Sequence, residues 1–285
     1  MSDAWNEYYT DEEIKQIQKI EIRSLDILDD VCKKLNIRFF MYGGSLLGAV
    51  KYQGFVPWDD DLDIAMLRPD YERFIKEAPE LLAENYEIQH PSINSRTPYH
   101  YVKFRRTDTA LVEYWNHKIK INHGVYFDIY PIDNLPDDYA DYLKQKLKYD
   151  KWVSIFQARQ NFRLGQKVCS WKMALLTSWR FCRSMVLRLI PLRCVMKKID
   201  KISTQYNLQT TRNQGNLTYP KPVNFFDGFE AQEAVFEERI VYIPSGYRVN
   251  LRNRYGDINR LPPEAQRVGH KPYILDLGGE KQDAH

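Results

Sequence analysis

Apolar residues recur at helical spacing through Ile14, Ile17, Leu25, Leu28, Cys32 and Leu35, behind a Thr10–Glu13 capping box, and predict a long amphipathic helix ending at Asn36. The run Ile37–Tyr42 reads as a buried strand, Gly43-Gly44 as a turn, and Ser45–Tyr52 as a short helix with Ser45 near its N-terminus. Gly54 and Pro57 break the chain, and Leu62–Leu67 reads as a second strand. A helix near Asp70–Leu82, a strand near Tyr86–His90, the alternating stretch Tyr99–Thr107 and a strand over Gly124–Ile132 complete an α/β half. From about Ala140 to Tyr206 the pattern is helical and basic, without a strand signal. Asn207–His285 is rich in Pro, Gly and Asn, with one clear strand candidate at Arg239–Pro244 and a frayed tail. The expected class is α/β (α+β), a mixed sheet flanked by helices with an added helical C-terminal half. It divides into a catalytic half over 1–139, a basic helical segment over 140–206, and a segment over 207–285 that completes the active-site cleft.

Composition changes this picture little. With 285 residues, 44% apolar and 28% charged, the chain has the make-up of an ordinary globular protein able to bury a sizeable core. Twenty Tyr and six Trp supply many flat faces with polar tips, suited to sugars, nucleobases or quaternary ammonium groups and equally to core packing. Cys32, Cys169, Cys182 and Cys194 lack metal-ligand or disulfide-framework spacing and read as thiols in a reducing compartment. The start is polar and acidic, without the basic and apolar regions of a cleaved signal, so a cytoplasmic location is expected. Asn216-Leu217-Thr218 then matches the glycosylation triplet by chance.

The charge is lopsided. Lys151 to Ile199 holds no Asp or Glu, while eleven basic residues run from Lys151 through Arg159, Arg163, Lys167, Lys172, Arg180, Arg183, Arg188, Arg193 and Lys197 to Lys198. Such a block implies an anionic partner. On a helical wheel Trp171, Leu175, Cys182, Met185 and Leu189 form an apolar ridge, with Lys172, Arg180 and Arg183 to one side and Arg188 to the other. That is the layout of a helix lying on anionic lipid at the inner face of the plasma membrane, or of one packed on the catalytic half with a solvated basic face. Nucleic acid is not an expected partner, since no binding motif accompanies the charge.

The chemistry concentrates in GGSLLGAVKYQGFVPWDDDLDIAM, Gly43 to Met66, where Asp59, Asp60, Asp61 and Asp63 crowd together before an apolar run. Like charges this near repel, and burial worsens the repulsion unless a cation sits among them. Asp61 and Asp63 alternate onto one face of an extended segment, and two such carboxylates share a hard divalent cation, Mg²⁺ or Mn²⁺. Upstream, the N–H groups of Gly43, Gly44 and Ser45 open a helix, a ready phosphate site. Glycine turn, short helix and paired carboxylates in this order are the pattern of the nucleotidyltransferase fold, whose third carboxylate comes from a neighbouring strand. Asp128 is the first candidate for it and Asp133 the second. The plain alternative is a solvated acidic loop beside an ordinary turn.

The same stretch resembles the signature of the LicD family of phosphotransferases, related to fukutin-type enzymes. VKFRRTDTAL, GVYFDIYPIDNLP and RYGDINRLPPEAQRVGH downstream are similar to that family in order and spacing, so the resemblance spans most of Tyr42 to His270 apart from much of the basic block. It implies a nucleotidyltransferase-like fold and a transfer of phosphocholine, or a related phospho-alcohol, from CDP-choline or a similar CDP-alcohol to a hydroxyl of a cell-surface glycan or glycolipid. Carried over by residue, Asp61 and Asp63 match the metal-binding pair and Asp128 the third catalytic carboxylate. Gly44 and Ser45, with Gly43 before them, match the phosphate-contacting turn, and Asp59 matches a supporting acidic position. Lys103 and Arg105 match basic positions suited to the donor phosphates, and His270 lies in a basic loop that the resemblance reaches. Asp60 has no clear counterpart. Trp58 either faces a choline trimethylammonium or packs beneath the turn. Two other functions fit the residues less fully: a nucleotidyltransferase that moves NMP from an NTP, and a membrane-associated scaffold with a dead catalytic fold.

Overall fold

The structure is a computed structural model and describes residues 9–160, 171–218, 226–227, 229–261, 263, 267 and 272–278. Helix α1 (Asp11–Leu35) starts at the expected capping box: Thr10 Oγ1 accepts the Glu13 N–H at 3.1 Å, and Glu13 Oε2 accepts the Thr10 N–H at 2.7 Å. It ends where Asn36 turns left-handed, φ 51°. Strand β1 (Phe39–Met41) follows, then α2 (Gly43–Lys51), β2 (Asp63–Leu67) and α3 (Arg68–Glu77). Next come β3 (Tyr86–Gln89), β4 (Val102–Arg106), β5 (Ala110–Val112) and β6 (Tyr126–Asn134). The basic segment folds as α4 (Tyr139–Arg159), α5 (Trp171–Leu187) and α6 (Leu192–Ser203). The last part holds β7 (Asn213–Gly215), β8 (Phe226–Asp227), β9 (Ala231–Phe236), β10 (Arg239–Pro244), α7 (Tyr247–Tyr255) and β11 (Ile274–Asp276).

The main sheet is mixed, in the order β1-β2-β6-β4-β3, with β7 on the far end of β6 and β8 beyond it. β2 and β6 run parallel, and their neighbours are antiparallel. Its core is built from side chains with almost no exposure, among them Met41, Leu62, Ile64, Met66, Phe104, Phe127 and Ile129, each worth about 1.5–3 kcal/mol of transfer free energy on burial for the larger ones. A second cluster joins α4 to α6 through Tyr142, Tyr149, Phe156, Val195 and Ile199.

Three local differences from the expected elements have physical causes. The short helix begins at Gly43 rather than Ser45, because Gly43 adopts φ 52° and turns the chain straight from β1 into α2. Helix α3 begins at Arg68 with Pro69 in its first turn, where a missing N–H costs nothing. Strand β9 has no counterpart in the sequence reading. Its hairpin to β10 turns on Glu237 and Glu238 at φ 47° and 62°, positions where Asn-Gly is the usual signal. Glu237 is held there by its N–H to Gln53 O at 2.9 Å and by its carboxylate, which accepts the Phe55 N–H at 3.2 Å.

A buried ion pair locks the sheet to the helical segment. Arg68 Nε donates to Asp133 Oδ1 at 2.8 Å and Nη2 to Oδ2 at 2.5 Å, while Asn207 Nδ2 donates to Asp133 Oδ1 at 2.7 Å. Asp133 is thus committed to structure. Asp133→Ala should lower stability by about 3–5 kcal/mol in urea unfolding, since it strands the Arg68 charge indoors. A loss under 1 kcal/mol would show that the pair is dispensable.

Candidate active site

Register places the chemistry in one row. Asp63 of β2 lies opposite Asp128 of β6, Asp128 opposite Lys103 of β4, and Lys103 opposite Gln89 of β3. Paired positions share a face of the sheet, so the two carboxylates and the ammonium project together. Asp128 is the centre: its Oδ1 accepts from Lys103 Nζ at 2.5 Å and its Oδ2 from the Tyr130 hydroxyl at 3.0 Å. Asp133, five residues on, points to the opposite face.

The glycine turn grips this row. Gly44 N–H donates to Asp63 Oδ2 at 3.3 Å, and Ser45 Oγ accepts the Asp63 N–H at 2.8 Å. A Cβ on Gly43 would stand 1.8 Å from Asp63 Oδ2, and one on Gly44 would stand 2.3 Å from Asp59 Oδ2. Both positions are therefore glycine because carboxylates occupy the side-chain space.

The local electrostatics are those of an uncompensated acidic site. Burial, then repulsion from Asp61 and Asp63, pushes Asp59 up to about 9, and burial with Asp61 pushes Asp63 up to about 8. Asp60, near the Tyr9 hydroxyl, rises to about 7, chiefly through burial, and burial followed by Asp128 raises Asp61. Arg254 opposes the rise at Asp61 and Asp63. Beneath the loop, on α1, Glu21 is 1% exposed with neither carboxylate oxygen hydrogen-bonded, and burial followed by the Asp61 charge drives it well above the carboxylate range.

Two cavities flank the row. A cleft of about 960 Å³ is lined by Gly44, Asp59, Asp61 and Asp63 on one side and by Lys51, Trp58, Arg254, Tyr255 and Arg260 on the other. Across Asp128, a second cavity of about 620 Å³ is walled by Tyr99, Tyr101, Trp115 and Tyr126, with Glu113, Lys103 and the α4 side chains Val153 and Gln157. The Lys103 ammonium sits 3.4 Å from the Tyr126 ring centroid and 4.1 Å from that of Tyr99, and burial lowers its pKa.

Of the residues expected at the site, Gly43, Gly44, Ser45, Asp61, Asp63, Asp128 and Lys103 come together. Arg105 faces into the protein, with Nε on Gln89 Oε1 and Nη1 on Gly124 O, both at 2.6 Å. His270 lies outside the described residues. Trp58 borders the cleft with Tyr52 edge-on at 6.4 Å and the Arg267 guanidinium 5.5 Å from its ring centroid. Lys51, Arg254, Arg260 and the aromatic cavity were not singled out from sequence. Arg254 and Arg260 sit in a segment whose YGD…LPP pattern marked it as a unit without naming its cations.

Among the described residues, no three His, Cys, Asp or Glu side chains stand close enough together to hold a metal ion as placed. The donor set nevertheless fits a hard divalent cation: Asp61, Asp63 and Asp128 are all oxygen ligands, and each raises the cost of ionising its neighbours.

Residues 36–169 match the family described as LicD/FKTN/FKRP, nucleotidyltransferase domain. The chain is 25% identical over 270 residues, 92% of its length and 98% of the relative's, to the lipopolysaccharide cholinephosphotransferase LicD of Haemophilus influenzae. An uncharacterised protein of Rickettsia typhi is 32% identical over 90 residues, 30% of this chain and 29% of that one. Another, of Rickettsia prowazekii, is 28% identical over 153 residues, 51% and 54% of the two chains. The family implied by the motifs is borne out, and the mixed α/β sheet agrees with it.

Groups whose folded-state pKa is raised stabilise the fold below their ordinary pKa and lose that contribution as pH rises through the folded value. With Asp60, Asp63 and Asp59 at about 7, 8 and 9, the metal-free protein should lose several degrees of Tm between pH 6 and pH 9. Mg²⁺ should restore it, with the larger gain at pH 9. A Tm indifferent to both pH and Mg²⁺ would remove the acidic cluster as a cation site.

Proposed function

We propose, from the premise that residues 36–169 form a LicD-family nucleotidyltransferase domain, that the chain moves phosphocholine from CDP-choline to a hydroxyl of a cell-surface glycan of the lipopolysaccharide type. The observation that carries the reading is the position of Asp128 between two cavities, one lined by Asp61 and Asp63 and the other by aromatic rings. The first cleft suits the donor. Lys51, Arg254 and Arg260 offer positive charge to its phosphates, and the face of Trp58, already turned to the Arg267 guanidinium, suits the trimethylammonium. The second cavity suits the acceptor, since rings of Tyr and Trp with Glu113 and Gln157 between them match the apolar faces and hydroxyls of a sugar.

Asp61, Asp63 and Asp128 would hold Mg²⁺ or Mn²⁺, which when bound supplies charge neutralisation at the phosphates. The protein's own groups supply the rest. The turn at Gly43–Ser45 fixes Asp63, and Arg254 and Lys51 hold the donor phosphates. Asp128 accepts the proton of the acceptor hydroxyl as its oxygen bonds to phosphorus and the bond to CMP breaks. Lys103 and Tyr130 fix the Asp128 carboxylate in both directions. The same reading keeps the reaction in the cytoplasm, where Cys32, Cys182 and Cys194, free thiols here, stay reduced.

CMP release from CDP-choline with Mg²⁺ and a lipopolysaccharide acceptor tests the reading. Asp63→Asn should lower it at least ~100-fold with the fold intact. Trp58→Ala should raise the KM for donor, and Trp115→Ala the KM for acceptor, each by about tenfold. Pyrophosphate release from an NTP, without CMP release from any CDP-alcohol, would instead make the chain a nucleotidyltransferase.

A further inference from the structure

Helix α5 presents an apolar face that nothing in the described chain covers. Trp171 is 70% exposed, Leu175 62%, Trp179 59%, Val186 64% and Leu189, just beyond its end, 82%. Along α5 only Ser184 is buried. At about 100° per residue, Phe181, Met185, Trp171, Cys182, Leu175, Val186 and Trp179 share an arc of roughly 160°, and Ser184 falls on the opposite side. The helix is therefore held through the side that carries Ser184, with the arc of Trp171, Leu175 and Trp179 outward. Its attachment lies at its C-terminal end: Ser184 Oγ and Arg188 Nε both donate to Arg159 O, at 3.4 Å, at the close of α4.

Charge selects the occupant. Lys172 and Arg183 border one edge of the arc and Arg188 the other, and Arg193, Lys197 and Lys198 continue on exposed positions of α6. No Asp or Glu lies between Lys151 and Ile199 to oppose them. An apolar arc containing two exposed Trp, edged by cations whose stems lie along it, matches the boundary between acyl chains and anionic headgroups. Among the described residues no helix is long and apolar enough to cross a membrane, so the contact is interfacial.

We propose that α5 docks the protein on the surface of an anionic lipid bilayer, its apolar arc inserted to the depth of the headgroups. The mount then matters. Helix α4, which receives α5 at Arg159, also contributes Val153 and Gln157 to the aromatic cavity. Docking through α5 brings that cavity within one helix of the membrane, where a lipid-linked acceptor resides. The surface argument stands apart from the transferase reading, and a binding assay judges it alone.

The test is flotation of the full chain with vesicles of phosphatidylcholine containing 30% phosphatidylglycerol, and with pure phosphatidylcholine, at low and high salt. Binding to the anionic vesicles, with a blue shift of tryptophan emission, is the expected result. Lys172→Gln should weaken partitioning about fivefold, as should further removal of the Arg183 cation. Trp171→Glu with Trp179→Glu should weaken it more than tenfold at unchanged Tm and unchanged CMP release. Absence of binding at low salt would overturn the proposal, as would equal binding to neutral vesicles. A stable dimer in light scattering that Trp179→Glu dissolves would overturn it in favour of a second copy of this chain as the occupant.

Discussion

Repulsion among carboxylates is the constraint around which this fold is organised. Asp59, Asp61 and Asp63 share the wall of the cleft, with Asp128 beside Asp63 in the sheet and Glu21 buried beneath, and removal from water makes the Asp59, Asp61, Asp63 and Glu21 charges harder to hold than they would be on the surface. The backbone supplies the counterweight. Gly43 and Gly44 let carboxylates occupy the volume of a missing Cβ, the Gly44 N–H at the positive end of α2 meets Asp63, and Ser45 anchors the start of β2. Arg254, on a helix almost two hundred residues downstream by the numbering, adds the opposing charge from across the cleft.

The sheet register turns a list of acids into a geometry. Asp128 and Asp133 stand five residues apart on β6 and so face opposite sides of the strand. One lies beside Asp63 and enters the site; the other meets Arg68 and ties the sheet to α6 and Asn207. Lys103, the register partner of Asp128 on the other flank, closes the row with a positive charge. Asp128 is thus held from both sides, by an ammonium toward the aromatic cavity and by the Tyr130 hydroxyl toward the cleft.

What the sequence reveals follows from how local each feature is. The glycine turn, the paired Asp61 and Asp63 and the α1 capping box are encoded within a few residues of one another, so spacing alone exposes them. The cleft cations depend on long-range packing. Lys51 reaches Ile258 O at 2.5 Å, a contact that no local pattern announces. Arg105 shows the opposite error. Alternation correctly set it on the face of Lys103, but two positions further along the strand that face is covered, and the guanidinium is spent on Gln89 and Gly124. The β9–β10 hairpin escaped because its turn uses two glutamates in left-handed conformation, stabilised by contacts to Gln53 and Phe55 rather than by intrinsic preference.

The helical segment then has a role that the sheet cannot fill. The row of acids has a cleft on one flank and the aromatic cavity on the other, and the β4–β6 flank lacks a roof of its own. Helix α4 provides it, with Tyr149 bonded to His100 at 2.7 Å and Gln160 capping the Ser95 and Thr97 carbonyls at 2.8 and 3.0 Å. Those bonds join the aromatic loop before β4 to the helix that carries α5. Any shift of α4 must move the cavity wall with it, because the partners of His100 and of the buried Thr97 sit on that helix and at its C-terminal end. The basic segment is therefore mechanically continuous with the aromatic cavity, while the acidic cleft is framed by residues of α2 and α7.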